Sequence, residues 1–174
     1  NLDNYGLMTG MTAQAQREQA LDLFKKIYTP TSGTGAVMDY LAQTGRNVLE
    51  GADRLKAAPA GYSSEVKYAG DPIATNLRDI ARIHLAGLGT RIFYTAHGGY
   101  DYHANEVPTH ARLISELSTA IKDFYQDLED HGAQENVAIL VFTEFGRRIR
   151  DNGSGTDHGS GGGSFIIGDR VNGG

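Results

Sequence analysis

Six consecutive apolar residues, Val137-Ala138-Ile139-Leu140-Val141-Phe142, end two positions before the carboxylate of Glu144. An apolar run without alternation is the signature of a strand covered on both faces, which predicts a central strand of a sheet. The segment before it, from Pro108-Thr109 to His131-Gly132, carries Leu113, Leu117, Ile121, Phe124 and Leu128 at helical spacing, with Gly132 placed to close the helix. Further upstream, Asp71-Pro72 supplies an N-cap followed by proline at the first helical position, and Ile73, Leu77, Ile80, His84 and Leu88 continue that helix to Gly89. Arg91-Ile92-Phe93-Tyr94-Thr95-Ala96 is rich in β-forming residues and reads as a strand, and Ser164-Phe165-Ile166-Ile167-Gly168 reads as a short third one. The order helix, strand, helix, strand predicts an α/β fold with a mostly parallel sheet, flanked by helices and joined by right-handed crossovers.

The first seventy residues are of a different kind. Thr12 is a good N-cap for a helix over residues 12–28 with Leu21, Phe24 and Tyr28 on one face, and Pro30 ends it. A second helix over residues 34–58 places Val37, Met38, Leu41, Val48, Leu49 and Leu55 at mixed spacings and is interrupted by Gly45 and Gly51. Residues 59–70 read as loop. The expected organisation is a helical segment over 1–70, part of or inserted in the same domain, followed by an α/β part over 71–174.

Composition narrows the function. A chain of 174 residues, 40% apolar, can build a real core. A net charge of −5 leaves no basic face for nucleic-acid phosphates, and no run approaches the roughly 20 apolar residues of a membrane span. With no cysteine, disulfides, thiolate metal ligands and cysteine nucleophiles are excluded, so a metal would have to rest on oxygen and imidazole. The start on Asn1 without methionine and the stop at Gly174 just after a strand-like run lead us to expect a fragment.

Three acidic and histidine clusters follow the strand-like segments. Asp101 and His103 alternate with Tyr102, so in an extended loop both point the same way, and a carboxylate beside an imidazole suits a divalent ion. The competing reading is a surface turn with an incidental ion pair. Glu144, closing an apolar strand, needs a cation or several donors if buried; Arg147 or Arg148 could provide a salt bridge, or a metal could take the carboxylate and leave Arg147 to hold an anion. Asp157-His158 is a third pair in a glycine-rich loop, where solvated surface is the plain alternative. Together Asp101, His103, Glu144, Asp157 and His158 offer five ligands, enough for one four-coordinate ion or most of a two-ion site. Of the remaining histidines, His84 lies on an apolar stripe and reads as a core residue, and His131 sits at a helix C-terminus, where positive charge is favoured. His110 and His97 are reserve candidates near the first cluster.

Gly99-Tyr100-Asp101-Tyr102-His103-Ala104-Asn105, Thr143-Glu144-Phe145-Gly146-Arg147 and Gly155-Thr156-Asp157-His158-Gly159, in this order, resemble the domain of unknown function 1501 family. The resemblance runs from about Asp71 to the end, and the family looks related to the alkaline phosphatase and sulfatase superfamily. It implies a partial three-layer alkaline-phosphatase-like sandwich. By that likeness Asp101 and His103 correspond to the metal ligands after one strand, Glu144 stands where the superfamily has an Asp-His pair, and His158 with Asp157 fills the final histidine position. The superfamily's nucleophile has no counterpart here and is expected upstream of Asn1. The resemblance further implies export to the periplasm or cell surface. A sulfatase-like, metal-dependent hydrolase of phosphate or sulfate esters is the reading it suggests, with zinc, manganese, calcium or magnesium as cofactor, Arg147 on the anion and a small anionic ester or a sulfated or phosphorylated glycan as partner. The second reading is a non-catalytic exported binding protein that keeps the fold and a structural ion.

Overall fold

A computed structural model describes residues 14–29 and 35–173. The residues read as the boundaries of the first two helices, Thr12, Pro30 and Thr34, lie outside them. The chain divides into two compact units, Asn1–Tyr62 with Arg82–Gly89, and Ser63–Ala81 with Thr90–Gly174.

The first unit holds helix α1, Gln14–Ile27, and helix α2, Ala36–Ala57. Phe24 and Tyr28 are in ring contact, with centroids 4.5 Å apart, and Arg46 of α2 donates to the Tyr28 carbonyl at 3.3 Å. Gly45 does not break α2. A Cβ there would overlap the Tyr28 ring, so the glycine permits a close approach of the two segments.

Helix α3, Pro72–Leu85, belongs to the second unit as far as Ala81 and begins as its sequence predicts: the Asp71 carboxylate accepts the Ala74 N–H at 2.9 Å and Pro72 occupies the first helical position. It stops before Gly89, because Gly87 already takes a positive φ of 65°. Helix α4, Glu106–Asp130, closes on Gly132 at φ 64°, with Gly132 N–H on the Glu129 carbonyl and Ala133 N–H on the Leu128 carbonyl, both 2.9 Å. That pair of bonds is a Schellman motif. Ile73, Ala74, Leu77 and Ala81 form a single buried cluster with Ala120, Phe124 and Leu128. Burying each large apolar side chain contributes about 1.5–3 kcal/mol. The core also encloses Asp127, whose carboxylate accepts the Tyr68 hydroxyl at 2.8 Å.

Strand β1, Ile139–Val141, lays Ile139 on this cluster beside Val137, which precedes the strand, and pairs antiparallel with strand β4, Phe165–Ile167. Strands β2, Gly146–Asp151, and β3, Thr156–Gly159, form a second antiparallel ladder. Both ladders among the described residues are antiparallel because the chain between β1 and β4 folds into that hairpin, with no crossover helix to bring it back in the same direction. The apolar run is covered on one face only: Leu140 and its cross-strand partner Ile166 remain 59% and 60% exposed. Residues 91–96 form no strand. They alternate in exposure like one, with Phe93 and Thr95 half-buried and Ile92 and Tyr94 exposed, but no ladder adopts them.

Candidate metal centre

The loop Tyr100-Asp101-Tyr102-His103 alternates side to side. Tyr100 and Tyr102 are half-buried, whereas Asp101 and His103 are exposed, so the period of two read from the sequence holds in the fold. Inward, the Tyr100 hydroxyl lies 2.9 Å from His97 Nδ1 and the Tyr102 hydroxyl 2.5 Å from His110 Nδ1. Outward, Asp101 and His103 meet His158 of β3. His158 Nε2 is 2.7 Å from Asp101 Oδ1, His103 Nδ1 is 3.9 Å from the same oxygen, and one ligand atom from each of the three lies within 4.8 Å of the others.

Two imidazoles and one carboxylate with solvent beside them are the donor set of an open divalent-metal site. Ligands at ordinary zinc distances stand about 3.3 Å apart along a tetrahedron edge. The observed separations bracket that value, so an ion fits after shifts of about an ångström, within the reach of exposed side chains. The His103 and His158 rings stack with centroids 4.9 Å apart, and Phe145 stacks on His158 at 4.3 Å.

The surrounding loops are tied together from behind. Arg147 of β2 donates from Nη1 to the Thr156 carbonyl at 2.6 Å and from Nη2 to the Tyr100 carbonyl, with its guanidinium 5.2 Å from the ring centroids of both Tyr102 and Phe145. Asn152, in the hairpin turn, donates 3.1 Å bonds to the His103 carbonyl and the Asp157 carboxylate and accepts the N–H groups of Ser154 and Gly155. Glu106, in the first turn of α4, accepts the Thr156 hydroxyl at 2.9 Å. Gly146 is required by the backbone, because a Cβ would meet the carbonyl oxygens of Gly161 and Gly159 at 2.6 and 2.7 Å. Asn105 at φ 54° occupies the left-handed region that asparagine tolerates better than most residues. Burial pushes both tyrosine hydroxyls above their ordinary range; for Tyr100 the neighbouring Tyr102 and Glu116 add to it, and for Tyr102 Glu106 adds while Arg147 opposes.

Of the five residues expected as ligands, three converge. Asp157 precedes His158 on β3, and consecutive strand residues face opposite sides, so its carboxylate turns to Asn152. Glu144 is exposed, which removes the desolvation that made it a candidate, and it lines a cavity of about 370 Å³ with Thr143, Phe145, Ser160 and Ser164. Arg147 stands beside the cluster with its fork on two carbonyls rather than on a carboxylate. His97 and His110 hold the tyrosines; His131 has Asp127 O at 2.7 Å from Nδ1 and Ser63 O at 3.0 Å from Nε2. Asn152 and Glu106 were not legible as site residues, although the Asp151-Asn152-Gly153-Ser154-Gly155 run carries the chemistry of a tight turn.

Over residues 11–174 the chain matches the family described as protein of unknown function (DUF1501), and it belongs to that family. No curated protein and no solved structure matched it. No helix among the described residues is long and apolar enough to cross a membrane.

Proposed function

We propose that this member of the family is a metal-dependent hydrolase of phosphate or sulfate esters, with Asp101, His103 and His158 as the protein ligands of a divalent cation. The observation that carries the reading is their convergence within 4.8 Å from two segments far apart in sequence, with an exposed side open to substrate. The reaction class follows from the proposed relation to the alkaline phosphatase and sulfatase superfamily, which would set the site in a three-layer α/β sandwich and the protein in the periplasm or at the cell surface. The partner on this reading is a small anionic ester or a sulfated or phosphorylated glycan.

A bound cation would supply Lewis-acid polarisation of the ester and a water of lowered pKa. The chain does the rest. Asp101 provides the one carboxylate of the cluster and, when no ion is shared, accepts the His158 N–H. Phe145 covers one side of His158 and restricts its ring to the orientation that faces Asp101. Arg147 holds Tyr100 and Thr156 at fixed separation, and with them the segments that carry Asp101 and His158.

A non-catalytic binding protein is the second reading, favoured by one observation: the Arg147 fork is engaged by carbonyls and so offers less to the developing charge of an ester. Assay of aryl phosphate and aryl sulfate with zinc, manganese, calcium or magnesium separates the two. The hydrolase reading expects turnover that depends on added ion and disappears in His158→Ala and Asp101→Ala. Ion binding without turnover of any ester would favour the second.

A further inference from the structure

Resting on the metal-site reading, we infer that Glu116, His97 and Tyr100 form a brace, one ion-pair contact and one hydrogen bond, that positions Asp101 for metal binding, His97 being its central positioning residue. Glu116 on α4 places Oε2 3.4 Å from His97 Nε2, and the other side of the same imidazole, Nδ1, is 2.9 Å from the Tyr100 hydroxyl. The Glu116 carboxylate is itself anchored, with Oε1 2.5 Å from Arg112 Nη1. A carboxylate facing Nε2 favours the tautomer with the proton there, which leaves Nδ1 to accept from the phenol. The alternative acceptor for that phenol, the Leu113 carbonyl, is farther away at 3.5 Å. His97 is mostly enclosed, its side chain 12% exposed, and its ring meets Tyr100 edge-on at 5.4 Å between centroids.

The consequence follows from alternation. Asp101 is the residue after Tyr100 and faces the opposite side, so fixing the Tyr100 side chain on α4 fixes the direction in which Asp101 leaves the backbone. The neighbouring holds act on the same four residues: Arg147 on the Tyr100 carbonyl, His110 on the Tyr102 hydroxyl and Asn152 on the His103 carbonyl. Beside them, the Glu116–His97–Tyr100 chain ties the ligand loop to a carboxylate on α4 that Arg112 holds. Groups bonded directly to a ligand typically change metal affinity by about 10–100-fold when removed, and this brace, acting through the backbone one residue away, is expected at the low end of that range.

The test is Co²⁺ titration of the full chain followed by its visible absorption, with thermal unfolding of the metal-free protein as a control for folding. Tyr100→Phe removes one oxygen and keeps the ring; it and His97→Ala are each expected to weaken Co²⁺ binding by about tenfold or more. Because either change breaks the same chain, the double variant is expected to be no weaker than the weaker single. Glu116→Gln, which keeps an oxygen to accept from His97, is expected to retain affinity and spectrum, whereas Glu116→Ala loses them. If the parent binds Co²⁺ and Tyr100→Phe and His97→Ala bind it equally well, the brace is wrong while the metal site stands. The brace is also overturned by losses that add in the double variant or simply follow loss of the fold. A parent that takes up no Co²⁺ overturns both readings.

Discussion

Arg147 donates to carbonyls on two segments, at Tyr100 and at Thr156, and one guanidinium therefore sets the distance between the loop bearing Asp101 and the strand bearing His158. Replacing it by alanine leaves two half-buried carbonyls short of a charged donor and is expected to cost about 2–4 kcal/mol in denaturant unfolding. Arg147→Lys should recover less than half of that loss, since a single ammonium cannot reproduce the fork. His131 gives a pH dependence of known sign. Hydrogen bonding to the Asp127 carbonyl raises its pKa, opposed by partial burial and assisted by the Ser63 carbonyl, and two carbonyl partners suit an imidazole with both nitrogens protonated. A group with a raised folded pKa stabilises fully below its unfolded value, about 6.5, and loses that contribution as pH rises through the folded value. The denaturant midpoint should accordingly fall across that window, and His131→Gln should flatten the fall. At this scale the sequence was readable where local geometry is simple: Asp101 and His103 share a side because they are two apart. It was misleading at Asp157 and His158, which are adjacent and must diverge once the segment is a strand.

The helices of the second unit follow from their sequences because a period near 3.6 is self-contained. Phe124 and Leu128, on the stripe read from the sequence, are both at the centre of the buried cluster. Phe124→Ala should cost about 3–5 kcal/mol in the same unfolding experiment, at the high end because small neighbours such as Ala74, Ala81 and Ala120 cannot close the cavity. In the first unit, Gly45→Ala should destabilise despite alanine's better helix propensity, because the added methyl displaces the Tyr28 ring. The strands were harder to read. Residues 91–96 have the composition of a strand and extended alternation but join no ladder among the described residues, and a strand is defined by its ladder. The β2–β3 hairpin, by contrast, begins Gly146-Arg147-Arg148-Ile149-Arg150, whose charges hide it; its register rests on backbone pairs such as Arg147 with His158, which propensity does not report.

Across the whole molecule, the family is established over residues 11–174, and the converging residues Asp101, His103 and His158 lie within one compact unit. The three motifs read from the sequence are brought together by the fold around Arg147, and which of their side chains meet was only partly legible because proximity depends on a hairpin that composition conceals. The hydrolase proposal stands or falls first on the ion. Calorimetric titration of Zn²⁺ into the full chain and its variants tests this most directly: binding at one site is expected, with Asp101→Ala, His103→Ala and His158→Ala each abolishing it and Glu144→Ala leaving it intact. Absence of Zn²⁺ binding by the parent, or binding that survives loss of Asp101, His103 and His158 together, would contradict the metal centre.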